Sequence, residues 1–324
     1  MKIISHLAAA SVLAWTVSIA SVGAEPLPQL SSAPTHTASI LNETSWFHGA
    51  ENCDTAQSPA FQSYQYDDAT YIIRQNKCDT YEAPFMYLLR GDNTILLVDT
   101  GAATDKAHSV LIEFITSLLE PQELLDKNLL VVHSHSHSDH TAADKAFAAL
   151  ANTTVIGTKN KKVKAFMKAE KGADDVKTLD LGGRKLSMFL TPGHQEESIV
   201  IYDAKTQWLL TGDTLYPGLI MVKDWSDYRD SINKIHAFIS NHPVSAIMGA
   251  HIEMKKSAGE FYEIGSTFQP NETALDLPIS VVAEIRMAIN AKKKPKEIVL
   301  DSIIIQPMNG LVKGISSVVR WFKN

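Results

Sequence analysis

Short apolar runs separated by turn residues predict that strands dominate the chain from about residue 70. Phe85–Arg90 is one such run, and the turn residues 91–93 and a second run, Thr94–Val98, follow it as in a hairpin. Apolar positions at helical spacing in residues 107–120 predict a helix, and Leu129–Val132 has the pattern of a buried strand. Later strands are predicted near residues 176–190, 198–203 and 207–211. The alternation of strand pairs with helices predicts two sheets faced by helices.

The first 24 residues have the pattern of a secretory signal peptide. Lys2 supplies a positive start, residues 7–22 form an apolar run, and the small residues 22–24 before Glu25 suit a cleavage site. An uncleaved membrane anchor is the alternative, because the apolar run approaches the length that spans a bilayer. We expect export to the periplasm or the medium, with no stable membrane insertion after cleavage.

The rest of the chain divides into three predicted segments. Residues 25–45, with several prolines, predict an extended N-terminal arm. Residues 46–260 hold the predicted sheets and form the main domain. Residues 261–324 form a C-terminal extension that is expected to pack on the same domain, although the apolar helix predicted near residues 312–323 also allows a membrane contact.

Composition limits the function classes. The chain has 324 residues, of which 45% are hydrophobic, and a net charge of -6, so it can bury a large core and offers nucleic acid little to bind. We expect a small-molecule substrate, and the oligomeric state stays open. The two cysteines, Cys53 and Cys78, predict a disulfide in an exported chain. A pair of thiolate metal ligands is the alternative, but the 24 residues between them include no histidine.

Four of the twelve histidines lie between residues 133 and 140. Within this segment His135-x-His137-x-Asp139-His140 has the ligand types and the close spacing that bind a borderline divalent metal such as zinc. A helix predicted from about Thr141 to Leu150 would leave Asp139 and His140 in the connecting loop. Further candidates stand at the ends of later apolar runs: His194, Asp213 and His251. Taken singly, each of these has a structural explanation as a cap, a turn or a surface residue.

Together the motifs resemble those of the metallo-β-lactamase superfamily. The series comprises Leu97-Val98-Asp99-Thr100-Gly101, the histidine motif, Thr191-Pro192-Gly193-His194, Gly212-Asp213 and His251, and it occurs in the family's order between about residues 70 and 255. The resemblance implies an α/β fold, namely a four-layer αβ/βα sandwich with two mixed β-sheets flanked by helices. It also implies a metal site at the edges of the sheets.

A set of ligands follows from the resemblance. It implies that His135, His137 and His194 bind one ion, that Asp139, His140 and His251 bind a second, and that Asp213 bridges the two. The expected cofactor is two zinc ions per chain, with iron or manganese as alternatives. Asp99 is expected to orient ligands without binding a metal. His133 falls outside the motif's register, so we expect it to pack or to support the ligands.

The implied reaction is metal-dependent hydrolysis. A hydroxide bridged by two zinc ions would attack an ester, lactone, thioester or related bond, and Asp139 would pass a proton to the leaving group. Three alternatives stay open: a β-lactam-hydrolysing enzyme of the same fold, a mononuclear iron dioxygenase acting on sulfur compounds, and a non-catalytic, metal-binding secreted module. For Tyr216 two roles stay open, contact with the substrate and packing of a loop.

Overall fold

A computed structural model describes Leu41 and residues 45–102, 105–168, 175–292 and 294–309, with side chains left undescribed at 105–109. All of these residues belong to one compact unit of the chain. The predicted signal peptide, most of the predicted arm and the predicted last helix lie outside the described residues. No helix in the described part of the chain is long and apolar enough to cross a membrane.

The first sheet has six strands that follow one another in space as they do in sequence. They are β1 (Phe61–Asp67), β2 (Thr70–Gln75), β3 (Phe85–Arg90), β4 (Thr94–Val98), β5 (Asn128–Val132) and β6 (Thr153–Val155). The first four pair antiparallel, and β4, β5 and β6 pair parallel. Val98 pairs with Val132, so the residues that follow β4 and β5 emerge at the same edge.

The second sheet also has six strands, in the order β13-β12-β10-β9-β8-β7. They are β7 (Val176–Asp180), β8 (Lys185–Leu190), β9 (Ile199–Asp203), β10 (Trp208–Gly212), β12 (Ala246–Gly249) and β13 (Asp276–Leu277). Because β9 is antiparallel to both β8 and β10, and β10 is parallel to β12, the strands β8, β10 and β12 run in the same direction. A smaller sheet joins β11 (Leu219–Val222), β15 (Ile304–Pro307) and β14 (Ile298–Val299).

Seven helices complete the described fold: α1 (Asp105–Ser117), α2 (Glu123–Asp126), α3 (Ser138–Thr141), α4 (Asp144–Phe147), α5 (Asn160–Phe166), α6 (Trp225–Asn241) and α7 (Ser280–Asn290). The longest, α6, begins after Asp224, whose carboxylate accepts the backbone N–H of Asp227 at 3.0 Å. Its buried residues Tyr228, Ile232 and Ile235 recur at helical spacing and form one apolar face.

The side chains of each sheet pack on two sides, one facing the other sheet and one facing helices, and this arrangement produces the layers. Successive side chains of a strand point to opposite faces, so Ile72 packs between the sheets whereas Ile73 faces the first helical layer. The central core joins both sheets, an outer core places α1 and α4 on the first sheet, and a third core places α6 and α7 on the second. The expected four-layer α/β sandwich with two mixed sheets is therefore confirmed.

A buried arginine links the two sheets. Arg184 lies just before β8 and forms an ion pair with Asp203 at the end of β9, with Nη2 2.6 Å from Oδ2 and Nε 3.1 Å from Oδ1. The same guanidinium donates to the Thr70 hydroxyl at 2.9 Å and to the Ala69 carbonyl at 2.7 Å, both at the start of the first sheet's second strand. Since Arg184, Asp203 and Thr70 are all buried, loss of one charged partner would leave a buried charge uncompensated.

Two sequence-based expectations need correction at the level of single elements. The helix predicted from Thr141 to Leu150 is instead two short helices, α3 and α4, and Asp139 and His140 lie inside α3 rather than in a loop. The strand predicted near residues 176–190 is divided into β7 and β8, which pair with each other. Both errors concern ends and breaks, which depend on tertiary contacts more than on apolar spacing.

Cys53 and Cys78 form the predicted disulfide, with Cα atoms 5.1 Å apart. It joins the segment before β1 to the loop after β2, a separation of 25 residues.

Replacing both cysteines by serine should lower the free energy of unfolding by about 3 kcal/mol, because the unfolded chain regains the entropy of an open loop. Denaturant unfolding of the double variant and of the oxidised parent measures this difference. A decrease below about 1 kcal/mol would contradict the expectation.

Candidate metal centre

The predicted ligands all follow strands that end at one edge of the sandwich. Residues 133–140 follow β5, while His194, Asp213 and His251 follow β8, β10 and β12. Because these last three strands run in the same direction, their carboxyl ends lie together, and the two sheets face each other across this edge. The fold therefore collects side chains that are more than fifty residues apart in the sequence.

Three histidines and one aspartate form the first group of donors. The Nδ1 atom of His137 lies 2.9 Å from Nε2 of His135 and 3.2 Å from Nε2 of His194. Oδ2 of Asp213 lies 3.6 Å from the His135 nitrogen and 3.5 Å from the His194 nitrogen. One donor atom from each of the four residues lies within 4.8 Å of the other three.

Two histidines and two aspartates form the second group. Oδ2 of Asp139 lies 3.2 Å from Nε2 of His140 and 3.4 Å from Nε2 of His251. Oδ1 of Asp213 lies 3.5 and 3.3 Å from the same two nitrogens. These four donors also lie within 4.8 Å of one another. All seven predicted ligand residues are thus brought together, in the two groups that the resemblance implied.

Asp213 belongs to both groups through its two different oxygens. Oδ2 faces the first group, and Oδ1 faces the second. Oδ1 is buried and makes no hydrogen bond, although two imidazole nitrogens are nearby. A buried carboxylate oxygen without a donor is unfavourable unless a cation satisfies it. This orphaned atom, together with the oxygen and imidazole donors around it, fits two divalent ions that share one carboxylate.

Each of the five histidines in these groups has a second ring nitrogen that points away from the donors and is held by a neighbour. The contacts are His135 Nδ1 with Ser134 Oγ at 3.1 Å, His140 Nδ1 with Asp99 Oδ2 at 2.9 Å, His194 Nδ1 with the Met221 carbonyl at 2.9 Å, His251 Nδ1 with the Glu82 carbonyl at 2.9 Å, and His137 Nε2 with the Gln195 amide. A neutral imidazole has one N–H and one lone pair, so a hydrogen-bond acceptor at the outer nitrogen directs the lone pair inward.

Asp99 contacts the second group through His140. Its carboxylate accepts the Ser134 N–H at 2.7 Å, the Ser134 hydroxyl at 2.8 Å and His140 Nδ1 at 2.9 Å. Burial favours a raised pKa, but the nearby His140 and His133 imidazoles outweigh it and hold the pKa of Asp99 below its usual value. The backbone of Asp99 has φ +68°, a conformation that aspartate tolerates better than most residues.

Electrostatics differ between the two groups. Burial, reinforced by neighbouring imidazoles, lowers the pKa of His135 and His194 and lowers the pKa of His137 to about 3, so these rings are neutral near pH 7. Burial would also lower the pKa of His140 and His251, but the carboxylates of Asp139 and Asp213 outweigh it and raise both values. The second group therefore presents concentrated negative charge, which favours a cation at that position.

His133 lies outside both groups. Its Nδ1 donates to the His140 carbonyl at 3.0 Å, and its Nε2 lies 3.1 Å from Oδ1 of Asp144. Burial would lower its pKa, yet Asp144 and Asp99 outweigh burial and raise the pKa to about 9. His133 thus connects the end of β5 to α3 and α4, and it makes none of the contacts that the two donor groups share.

Tyr216 packs a loop. Its hydroxyl donates to the Leu219 carbonyl at 2.9 Å and to Oε2 of Glu253 at 3.2 Å, and its ring packs against His251 with centroids 5.4 Å apart. The phenol is 5% exposed, so its hydroxyl is committed to the protein interior. The structure thus favours the packing role over a substrate contact.

Sequence reasoning missed the contributions of Gln195 and Glu82. Gln195 directly follows His194, which is a signal that could have been noticed, but its contact is with His137 in another segment. Glu82 acts through its backbone carbonyl, and a carbonyl carries no sequence signal. Its position depends on the loop between β2 and β3, which no pattern of residue types specifies.

Comparison with known proteins places this site in a family. The family model of the metallo-beta-lactamase superfamily matches residues 80–246, about half of the chain. The chain belongs to the metallo-β-lactamase superfamily.

Two curated relatives are hydrolases. A hydroxyacylglutathione hydrolase of Chromohalobacter salexigens is 30% identical over 141 residues, which are 43% of this chain and 50% of that protein. The human acyl-coenzyme A thioesterase MBLAC2 is 22% identical over 222 residues, which are 57% of this chain and 78% of that protein. The chain therefore matches only half the length of the first relative.

Solved structures of this superfamily include more distant neighbours. A metallo-β-lactamase from Pontibacter korlensis is 12% identical, with a TM-score of 0.49, and the match covers 72% of this chain and 100% of that one. The DIM-1 metallo-β-lactamase is 15% identical, with a TM-score of 0.48, and the match covers 72% and 98% of the two chains.

The contacts of Asp99 generate a prediction for this superfamily member. Asp99→Asn should weaken zinc binding at the second group by about 10- to 100-fold, because an amide cannot accept from Ser134 and His140 as the carboxylate does. Competition with a chromophoric chelator measures both affinities, and Asp230→Asn on the exposed surface of α6 is the matched control. Wild-type affinity for both ions in the Asp99→Asn protein would contradict the assigned role.

Proposed function

We propose that the protein is an exported hydrolase that binds two divalent ions, zinc in the first instance, and cleaves the thioester of a small molecule. The observation that carries this proposal is the position of Asp213, whose two oxygens face two different groups of donors. His135, His137 and His194 would hold one ion, and Asp139, His140 and His251 would hold the other. When bound, such ions supply Lewis-acid activation of water and of the scissile carbonyl.

The chain's own residues would manage the proton. Oδ2 of Asp139 lies near His140 and His251, and the side chain is 17% exposed, so solvent reaches this carboxylate. We assign Oδ1 of Asp139 to accept a proton from the attacking water and to return it to the leaving group. A thiolate leaving group needs little proton assistance because a thiol is a comparatively strong acid, whereas an alkoxide needs more.

The choice of a thioester rests on the relatives. One is named a hydroxyacylglutathione hydrolase and another an acyl-coenzyme A thioesterase, and both names describe removal of an acyl group from a thiol compound. An ester or a lactone presents the same kind of carbonyl, so these substrates belong to the same proposal. Export argues against glutathione itself as the carrier, since that thiol is mainly intracellular.

A β-lactamase that uses a cysteine ligand does not fit this chain. The sequence has two cysteines, and both are consumed in the disulfide far from the donor groups in sequence. The disulfide also supports export, because such bonds persist in oxidising compartments. The predicted signal peptide of residues 1–24 also supports export. Recovery of zinc-loaded protein from a periplasmic fraction would agree with both export and metal binding.

Metal analysis and a substrate panel together test the proposed function. The purified exported protein should contain about two zinc ions per chain and hydrolyse chromogenic thioesters, with lower rates on esters and lactones. Asp213→Ala should lose both the bound metal and the activity, because each group loses a donor. Asp230→Ala, which removes a carboxylate on the outer face of α6, should retain both.

Other results would contradict particular parts of this proposal. Two zinc ions without hydrolysis of any thioester, ester, lactone or β-lactam would remove the reaction assignment and favour a metal-binding module. One iron per chain with oxygen uptake on a sulfur compound would favour the dioxygenase. A chain that binds no divalent metal would overturn the site itself.

A further inference from the structure

We infer that Gln195 is a positioning residue that holds the proton of His137 on Nε2 and thereby directs the Nδ1 lone pair toward the first ion. This inference rests on the proposed metal-binding function and concerns a residue outside the seven donors. In this role Gln195 determines which of the two neutral tautomers the His137 imidazole adopts. Gln195 itself would touch neither the metal nor the substrate.

The orientation of His137 differs from that of the other four histidines. Those four present Nε2 to the donor groups and have Nδ1 held from behind. His137 presents Nδ1, which lies 2.9 Å from Nε2 of His135 and 3.2 Å from Nε2 of His194. When Nδ1 binds a metal, the proton of the neutral ring lies on Nε2, and an acceptor at Nε2 stabilises that form.

The Gln195 side-chain amide is the group that contacts Nε2 of His137. As placed, the amide nitrogen faces the ring nitrogen, an arrangement in which the amide would donate and so require a lone pair on Nε2. The proton would then move to Nδ1, where His135 and His194 already crowd, and His137 would cease to be a ligand. A half-turn of the amide exchanges its oxygen and nitrogen within the same volume and places the oxygen as acceptor.

The turn that carries Gln195 is rigid enough for this task. The side chain is 4% exposed, its backbone N–H donates to the Ser198 hydroxyl at 3.3 Å, and its carbonyl accepts the N–H of Gly193 at 3.3 Å. Gly193 has φ +140°, and a Cβ there would lie 2.4 Å from the Tyr228 Cα. Only glycine fits this close contact, so the turn packs directly against α6.

Neighbouring histidines show why a side chain is needed here. His194 and His251 are oriented by backbone carbonyls, which substitution cannot remove. His137 precedes α3 in extended conformation and its Nε2 points across to the segment after β8, where the Gln195 side chain is the partner the structure provides. In the first donor group, the neutral side chains of Ser134 and Gln195 thus contact His135 and His137, whereas a backbone carbonyl contacts His194.

Two substitutions of Gln195 distinguish the effect of a hydrogen-bond acceptor from the effect of side-chain volume. Gln195→Leu keeps the bulk but has no acceptor, and it should weaken binding of one zinc ion by about 10- to 100-fold. Gln195→Glu keeps an acceptor of nearly the same shape and should bind that ion at least as tightly as the parent. Gln269→Leu is the matched control, because Gln269 is a 3% exposed glutamine outside the donor groups.

Zinc alone is the probe, measured by competition with a chromophoric chelator, and ¹⁵N spectra of labelled histidine report the ring form of His137. In the zinc-loaded parent and in Gln195→Glu, His137 should have its proton on Nε2. Parent-like zinc affinity in Gln195→Leu, or equal weakening in the Leu and Glu variants, would overturn the inference. Absence of zinc binding in the parent would instead remove the proposed function, and loss of hydrolysis with zinc affinity unchanged would leave Gln195 without this role.

Discussion

The shared carboxylate of Asp213 is the interaction on which this architecture depends. It is buried, and its two oxygens face donors supplied by both halves of the sandwich. Such sharing requires the exits of β5 and β10 to approach very closely. Gly212 allows this approach, because a Cβ at that position would lie 2.4 Å from the Ser134 side chain, and its φ of +51° is one that glycine adopts freely.

A layer of supporting contacts turns this meeting of strands into a site with defined chemistry. Asp99 and Ser134 organise the second group from the first sheet, while backbone carbonyls from two loops orient His194 and His251. Arg184 pairs with Asp203 in the second sheet and donates to Thr70 in the first, so it links the two sheets, and the disulfide is a further cross-link. A site assembled from many elements needs such restraints, since small displacements of a ligand weaken metal binding strongly.

The sequence was most informative where residue type itself carries the chemistry. Histidine and aspartate at close spacing indicated the donors between residues 135 and 140, the resemblance to the metallo-β-lactamase superfamily implied the other three, and two cysteines left one possible pair. It was less informative at breaks: Asp139 and His140 lie in the short helix α3, not in the loop that apolar spacing predicted. The Glu82 carbonyl and the Gln195 amide were missed because their roles arise from the path of the backbone, which brings separate segments into contact.

Anomalous diffraction from crystals grown with zinc tests the central claim most directly. The account predicts two zinc peaks, one among His135, His137 and His194 and the other among Asp139, His140 and His251, with a different oxygen of Asp213 bound to each. A single peak, or two peaks of which only one contacts Asp213, would contradict the claim that this carboxylate joins two metal sites.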